Sequence, residues 1–498
     1  MEHLPEALYR AADTREADRR AVERHGLGDG VLMERAGAAA FALLRERFPR
    51  ARRIGVVCGP GNNGGDGYVV ARLAQAAGLD VEILSPISPD KLTGDARGAY
   101  ERWHGAKGLA AHSDFSRLVD REVIVDALFG TGLERPLEGA WHAAVEAINA
   151  ARRPVLALDL PSGLHADSGR VLGAVVRAAI TMSFIGLKAG LFTGTGREHS
   201  GSIFFDDLAV PASVFDGLPP YARRITARNL RGLLRPRARH AHKGDAGRVL
   251  VVGGQPGMPG AVRLAGEAAY RAGAGLVKLA THTAHTATVS AACPELIAYG
   301  VAQGLQIGEC ARSANAIAVG PGLGLDAWGR ELALAAFDLE CPQVVDADGL
   351  RHLAAQLRTS ATWVLTPHPG EAAALLDITC DDVQHDRIRV ARAIAKRYGG
   401  VCVLKGSGTI VTDGSDMPVW LCDRGGPGLA TAGTGDVLTG IIAALLAQGV
   451  APIEAARLGV WVHASAGDRV SANGERGLLA SDLLLPVRNL VNELAEAS

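Results

Sequence analysis

Two asparagines and an aspartate stand in a glycine-rich stretch, GPGNNGGDG from Gly59 to Gly67, where Asn62, Asn63, Gly64, Gly65 and Asp66 combine amide carbonyls, a carboxylate and open backbone. That set suits a polar ligand or a cation as well as a phosphate. Gly59, Gly61 and Gly64 also satisfy the GxGxxG fingerprint, with a helix expected from Tyr68 and with Asp80 and Glu82 near the end of the next strand, where a dinucleotide fold places its ribose-binding acid. Further on, Asp126 opens DALFGTGLERPLEG, and Asp159 opens DLPSG with Ser162. A lone acid after a strand is an ordinary turn or cap residue. Several such groups beside glycine-rich turns, at strand ends sharing one sheet edge, point instead to convergence of Asn63, Asp126, Asp159 and Ser162.

A second set lies in the C-terminal half. AGTGD, Ala432 to Asp436, runs into the apolar stretch VLTGIIAALLAQG, so the N–H groups of Gly433, Thr434 and Gly435 are expected at a helix N-terminus, where developing phosphate charge is stabilised. Asp436 at the same end is placed to accept a proton from a hydroxyl attacking phosphorus, and the helix dipole is expected to favour its carboxylate form. Its companions are the loop Gly253 to Gly260, GPGLG (Gly320 to Gly324), VVDADG (Val344 to Gly349), TPHPGE (Thr366 to Glu371) and KGSGT (Lys405 to Thr409). His368 lies between two prolines at a strand end, which holds it extended. His282 and His285 have helix-face spacing but no third ligand nearby, so no metal site is expected there.

The elements that must position these groups follow from patterning. Residues 8 to 25 are charged and helical in pattern; buried strands are expected at Ile54 to Cys58, Val81 to Leu84, Val123 to Val125 and Val155 to Leu158. In the second half they are expected at Arg248 to Val252, Ala316 to Val319, Val344 to Val345, Trp363 to Leu365 and Val401 to Leu404. Strands alternating with helices imply parallel sheets covered on both faces, hence an α/β fold class. Pro211, Pro219 and Pro220, followed by a basic stretch, put a domain boundary near 222 to 228; the run holding Arg235, Arg237, Arg239, His240 and His242 reads as a solvated linker. A length of 498 residues also exceeds one ordinary core.

Composition narrows the function classes. Hydrophobic residues make up 48%, charged residues 21% and aromatic residues 5%, with a formal charge of -1, which leaves no basic surplus for nucleic acid. The seven cysteines show no CxxC pair and read as reduced thiols. The charged N-terminus lacks a signal core, and Val437 to Ala447 is too short for a membrane span, so a cytoplasmic location and no membrane partner are expected.

Residues 1–222 resemble the NAD(P)H-hydrate epimerase family, through NNGGDG, DALFGTGLERPLEG, DLPSG and GLKAGLFTGTGREHSG with Lys188. The resemblance implies a Rossmann-like α/β/α sandwich. It implies that Asn63, Asp126 and Ser162 help bind a potassium ion, and that Asn62, Asn63, Gly64, Gly65, Asp66, Gly130, Thr131, Gly132, Leu133, Glu134, Arg135, Pro136 and Asp159 bind the hydrated cofactor. In such a hydrate a hydroxyl sits beside the ring nitrogen, whose lone pair helps expel it. One carboxyl that gives and takes a proton allows re-addition at the other face, and Asp159 is assigned that role.

Residues 228–498 resemble the ribokinase-like fold, a second α/β/α sandwich, and within it the ADP-dependent NAD(P)H-hydrate dehydratases. Here the resemblance implies that Lys405, Gly406, Ser407, Gly408, Thr409 and Gly435 bind nucleotide, and that Ala261, Gly322, His368 and Asp436 contact the hydrate, with Asp436 catalytic. Two positions depart from the family pattern: Gly426 and Arg351 stand where asparagine is usual. The combined expectation is a bifunctional isomerase and lyase acting on NADHX and NADPHX with ADP and magnesium, as a homo-oligomer. The alternatives are a ribokinase-like small-molecule kinase with an accessory nucleotide-binding domain, and a non-catalytic first domain; a kinase would leave a stable phosphorylated product.

Overall fold

The computed structural model describes residues 3–28, 30–106 and 113–496. The chain divides into two compact units, Met1–Arg223 and Arg224–Ser498.

In the first unit the strands Asp80–Leu84, Arg53–Cys58, Val123–Ala127, Val155–Leu158, Ile180–Phe184 and Ser202–Asp206 lie side by side in that order, all parallel. Their two-residue period divides the core. Ile54, Val56, Cys58, Val123 and Val125 join a cluster with Tyr68, Val69, Met33 and Ala36 from the helices Val31–Arg47 and Asn62–Ala76. Val57 and Ile124 join another with Ala144 and Val145 from the helix Gly139–Ala150, so both faces are covered.

The chain runs outward from Arg53–Cys58 to Asp80–Leu84 and then crosses back to Val123–Ala127, which opens a crevice at the carboxyl ends of the two central strands. Residues 8 and 9, read as the start of a helix, instead belong to the strand Ala7–Tyr9, which pairs with Leu187–Lys188 and with Ala222–Arg224. Apolar Leu8 is fully buried, and its ladder hydrogen bonds outweigh the helical pattern that begins with Ala11–His25. The pairing of Tyr9 with Lys188 brings both that helix and Lys188 toward the crevice.

In the second unit the order is Ile297–Gly300, Leu276–Thr281, Arg248–Val252, Ala316–Val319, Gln343–Val345, Trp363–Leu365 and Val401–Leu404, all parallel, with Thr409–Thr412 and Val419–Cys422 added antiparallel. Val249, Val251, Ala316, Ala318, Val344 and Val403 share a core with the helices Pro259–Arg271, Thr434–Ala447 and Pro452–Ser471. Thr434–Ala447 is apolar on nearly every side, as a helix buried all round must be. Helices Ala327–Phe337 and Arg387–Tyr398 also pack on this sheet. Among the described residues no helix is long and apolar enough to cross a membrane.

Candidate active sites

The first site is built at the crevice. Helix Asn62–Ala76 begins six residues before the expected Tyr68, so Asn62, Asn63, Gly64, Gly65 and Asp66 form its opening turns rather than a loop. The glycines allow this: a side chain at Gly64 would meet the Gly59 carbonyl oxygen at 2.1 Å, and one at Gly65 would meet the Met33 sulfur at 2.5 Å. Asn62, Asn63, Asp66, Gly130, Thr131, Gly132 and Asp159 all line one cavity of about 770 Å³. Gly64 and Gly65 serve packing beneath it. Leu133 packs on the core, and Glu134, Arg135 and Pro136 are exposed beyond the lining, Glu134 lying 3.5 Å from Arg15.

Asp159 follows its strand in the left-handed conformation, φ 65°, which is uncommon outside glycine and clusters at functional sites. Its carboxylate pairs with the buried ammonium of Lys188, which also donates to the Phe184 carbonyl at 3.0 Å and to Ser183 Oγ at 3.3 Å. Gly130 completes this corner, because a Cβ there would lie 2.9 Å from Asp159 Oδ2 and 3.6 Å from Asn63 Cγ. Only a residue without a side chain leaves both groups open to a ligand.

Asp126 and Ser162 are fully buried and lie outside the cavity lining. They are joined to each other: Asp126 accepts from the Ser162 N–H at 2.8 Å, from the Ser162 hydroxyl at 2.6 Å and from the Leu128 N–H at 3.2 Å. Burial pushes Asp126 up to about 6 despite these bonds. Asn63, by contrast, has buried amide oxygen and nitrogen atoms with no partner.

Two acidic groups of the fingerprint reading are misplaced. Asp80 opens its strand opposite Arg53, at the amino edge of the sheet, and Asp80 and Glu82 are engaged by Arg121, with Arg117 also on Glu82. They are structural ion pairs remote from the carboxyl-end crevice, so the ribose-binding assignment fails. Asp18, which sequence reasoning missed, does line the cavity. Burial raises it to about 6; Lys188 opposes that rise and Asp159 adds to it. Asp66 is pushed well above the usual carboxylate range, first by burial and then by Asp159 and Asp18.

The second site gathers around the start of helix Thr434–Ala447. Gly433 caps it at φ 90°, and neutral His463, lowered to about 4 by burial, donates to the Thr434 carbonyl at 2.8 Å from the neighbouring helix. Gly435 stands beside an ion pair, since a Cβ there would be 3.6 Å from Lys405 Nζ and 3.7 Å from Asp346 Oδ2. Lys405 Nζ is 2.7 Å from Asp346 Oδ1 and 3.8 Å from Glu371 Oε2, and the Thr439 hydroxyl donates to Asp346 Oδ2 at 2.7 Å. Burial alone would raise Asp346, but Lys405 and these hydrogen bonds hold it below the usual range. Glu371 is raised by burial, while Lys405 is held charged by the two acids against its own desolvation.

Asp436 does not follow the dipole expectation. Burial first, and Asp346 second, raise it to about 7, outweighing the opposing charge of Lys405. Ala261 and Gly322 lie side by side, with a Cβ at Gly322 falling 3.1 Å from that of Ala261. Ser407 is exposed in the Gly406 to Gly408 turn, and Thr409 donates to the Gly406 carbonyl at 3.1 Å. His368 caps helix Pro369–Leu376: its Nδ1 accepts from the Gly370 and Glu371 N–H groups at 3.0 and 3.3 Å, and its Nε2 lies 3.4 Å from Glu371 Oε1. His282 accepts from the Ala284 N–H at 3.3 Å and His285 Nε2 lies 3.1 Å from the Gln255 carbonyl oxygen, and among the described residues no group of three or more acids, cysteines and histidines could hold a metal ion. A larger cavity, about 820 Å³, is bordered by Arg235, Arg237, Arg271, Gln448 and Arg488 and contains none of the motif residues.

A family model described as NAD(P)H-hydrate dehydratase matches residues 249–487, and one described as YjeF-related protein N-terminus matches residues 29–190. The bifunctional NAD(P)H-hydrate repair enzyme of Coxiella burnetii is 43% identical over 97% of this chain and 99% of its own. This chain belongs to the bifunctional NAD(P)H-hydrate repair enzyme family. The repair enzyme of Escherichia coli is 41% identical over 98% of this chain and 95% of its own. This chain is also similar to a solved ribokinase-like superfamily protein from Enterococcus faecalis, 25% identical at a TM-score of 0.51, covering 55% of this chain and 96% of that one. The two family models fall one in each compact unit, as do the two constellations.

Proposed function

We propose that this repair-enzyme family member interconverts R and S NADHX and NADPHX within residues 1–222, and within residues 228–498 dehydrates the S form with ADP, releasing AMP and phosphate. Near-complete coverage of bifunctional repair enzymes at above 40% identity carries the reading. The pairing of Asp159 with Lys188 on the cavity wall supports the first activity, and Asp436 beside the Lys405–Asp346 pair supports the second.

At the first centre Asp159 exchanges a proton with the hydroxyl beside the ring nitrogen, and Lys188 orients and balances its carboxylate. Asn63, Asp126 and Ser162 would hold potassium. The orphaned Asn63 amide fits that role, and so does Asp126, whose carboxylate accepts three hydrogen bonds of about four it can take. Potassium bound there would supply a fixed positive charge for an anionic substrate group.

At the second centre Lys405 to Thr409 and Gly435 bind the nucleotide, where the ammonium and the helix N–H groups face its phosphates. Magnesium would enter with those phosphates and offset their charge. Ala261, Gly322 and His368 hold the hydrate. Asp436 takes the hydroxyl proton as that oxygen bonds to the terminal phosphorus and the bond to AMP breaks. Phosphate then leaves with the ring carbon–oxygen bonding pair, a proton departs from the next carbon, and the reduced ring is restored. Gly426 offers no side chain where the family has an amide, and Arg351 is exposed on helix Asp348–Ala354.

The purified chain, given mixed-epimer NADHX, ADP and magnesium, is expected to restore the reduced-nicotinamide absorbance with one phosphate released per cofactor. A stable phosphorylated product would mark a kinase instead.

A further inference from the structure

Epimerisation makes a demand on geometry that a single carboxyl meets poorly. The hydroxyl must receive a proton on the face it leaves, and water must lose one on the opposite face of the flattened ring. Asp18 and Asp159 face the same cavity from different elements, Asp18 from helix Ala11–His25 and Asp159 from the turn after Val155–Leu158. On that helix Glu16 is engaged by Arg19 and Arg20, whereas Asp18 is turned to the cavity. Lys188, Asp159 and Asp66 from other elements and Arg15 from its own helix act on it electrostatically. Burial lifts it to about 6, so near neutral pH it can both hold and release a proton.

We propose that Asp18 is a second catalytic acid/base of epimerisation, serving one face of the ring while Asp159 serves the other. The inference rests on the epimerase reading of this centre. The Asp18 carboxyl proton passes to the departing oxygen as the carbon–oxygen bond breaks and the nitrogen lone pair forms a carbon–nitrogen double bond. Water then adds from the other side, its proton passing to the Asp159 carboxylate while the π pair returns to nitrogen. The reverse passage restores both carboxyls.

The test uses the full-length chain, separated epimers of NADHX, no ADP, and water labelled with heavy oxygen, with the spontaneous rates subtracted. The unmodified chain is expected to interconvert the epimers and label both; failure there overturns the epimerase reading itself. In Asp18→Asn, interconversion is expected to fall by at least ~100-fold while one epimer still exchanges its oxygen, and in Asp159→Asn exchange is confined to the other epimer. A merely structural role would remove exchange from both epimers alike. That result, or undiminished interconversion in Asp18→Asn, overturns the proposal. Circular dichroism checks the fold of each variant, and Asp18→Ser is read in the same way should the amide disturb it.

Discussion

A carboxyl at a helix N-terminus is ordinarily kept ionised by the dipole, worth about 0.3–1 kcal/mol at a surface. Asp436 sits there half-buried and beside Asp346, and these outweigh Lys405 to bring it to about 7. A base must be unprotonated to act, so dehydration is expected to rise with pH along a limb centred near 7. A limb near the ordinary aspartate value would remove burial as the controlling influence. Asp436→Asn keeps the shape without the basic oxygen; its dehydration turnover is expected to drop by at least ~100-fold with ADP binding retained, as kinetics and calorimetry on one preparation can show. The place of Asp436 in a first helical turn was legible because AGTGD announces a helix start. Asp346 stands in VVDADG, a visible motif, but only the fold sets it against Lys405 and Thr439. Asp18 was not legible at all, since within TREADRR it resembles any solvated helix charge until the helix face is known.

Elements were easier to read than their ends. The central strands were visible as short β-branched runs, yet helix Asn62–Ala76 starts before its apolar pattern does, because Asn and Gly suggest a loop and only packing against Gly59 and Met33 makes them helical. The strand Ala7–Tyr9 was hidden for a related reason: its partners are far along the chain. Gly440 shows how such packing overrides propensity. Alanine would gain about 1 kcal/mol as a helix former, but its Cβ would lie 2.0 Å from the Ala265 carbonyl oxygen of helix Pro259–Arg271. Gly440→Ala is therefore expected to destabilise by about 1–3 kcal/mol, read as a lower unfolding midpoint for the transition that abolishes dehydration. An unchanged or higher midpoint would mean the helices separate freely.

For the whole molecule, each compact unit holds its own constellation, and neither constellation borrows its acid from the other: Asp159 and Lys188 lie in Met1–Arg223, Asp436 and Lys405 in Arg224–Ser498. The alternation of strands and helices made both α/β sandwiches legible, while the family resemblance, not the spacing, separated epimerase from other nucleotide-binding chemistry. Two centres in one chain make sense if the second accepts a single epimer and the first replenishes it. The most direct test follows cofactor recovery from an equal mixture of R and S NADHX with ADP and magnesium, comparing the unmodified chain with full-length Asp159→Asn. The unmodified chain is expected to recover the whole mixture in one fast phase, and the variant to recover one epimer at the same initial rate before slowing to the spontaneous epimerisation rate. Fast, complete recovery by Asp159→Asn would contradict the assignment of epimerisation to the first centre through this residue.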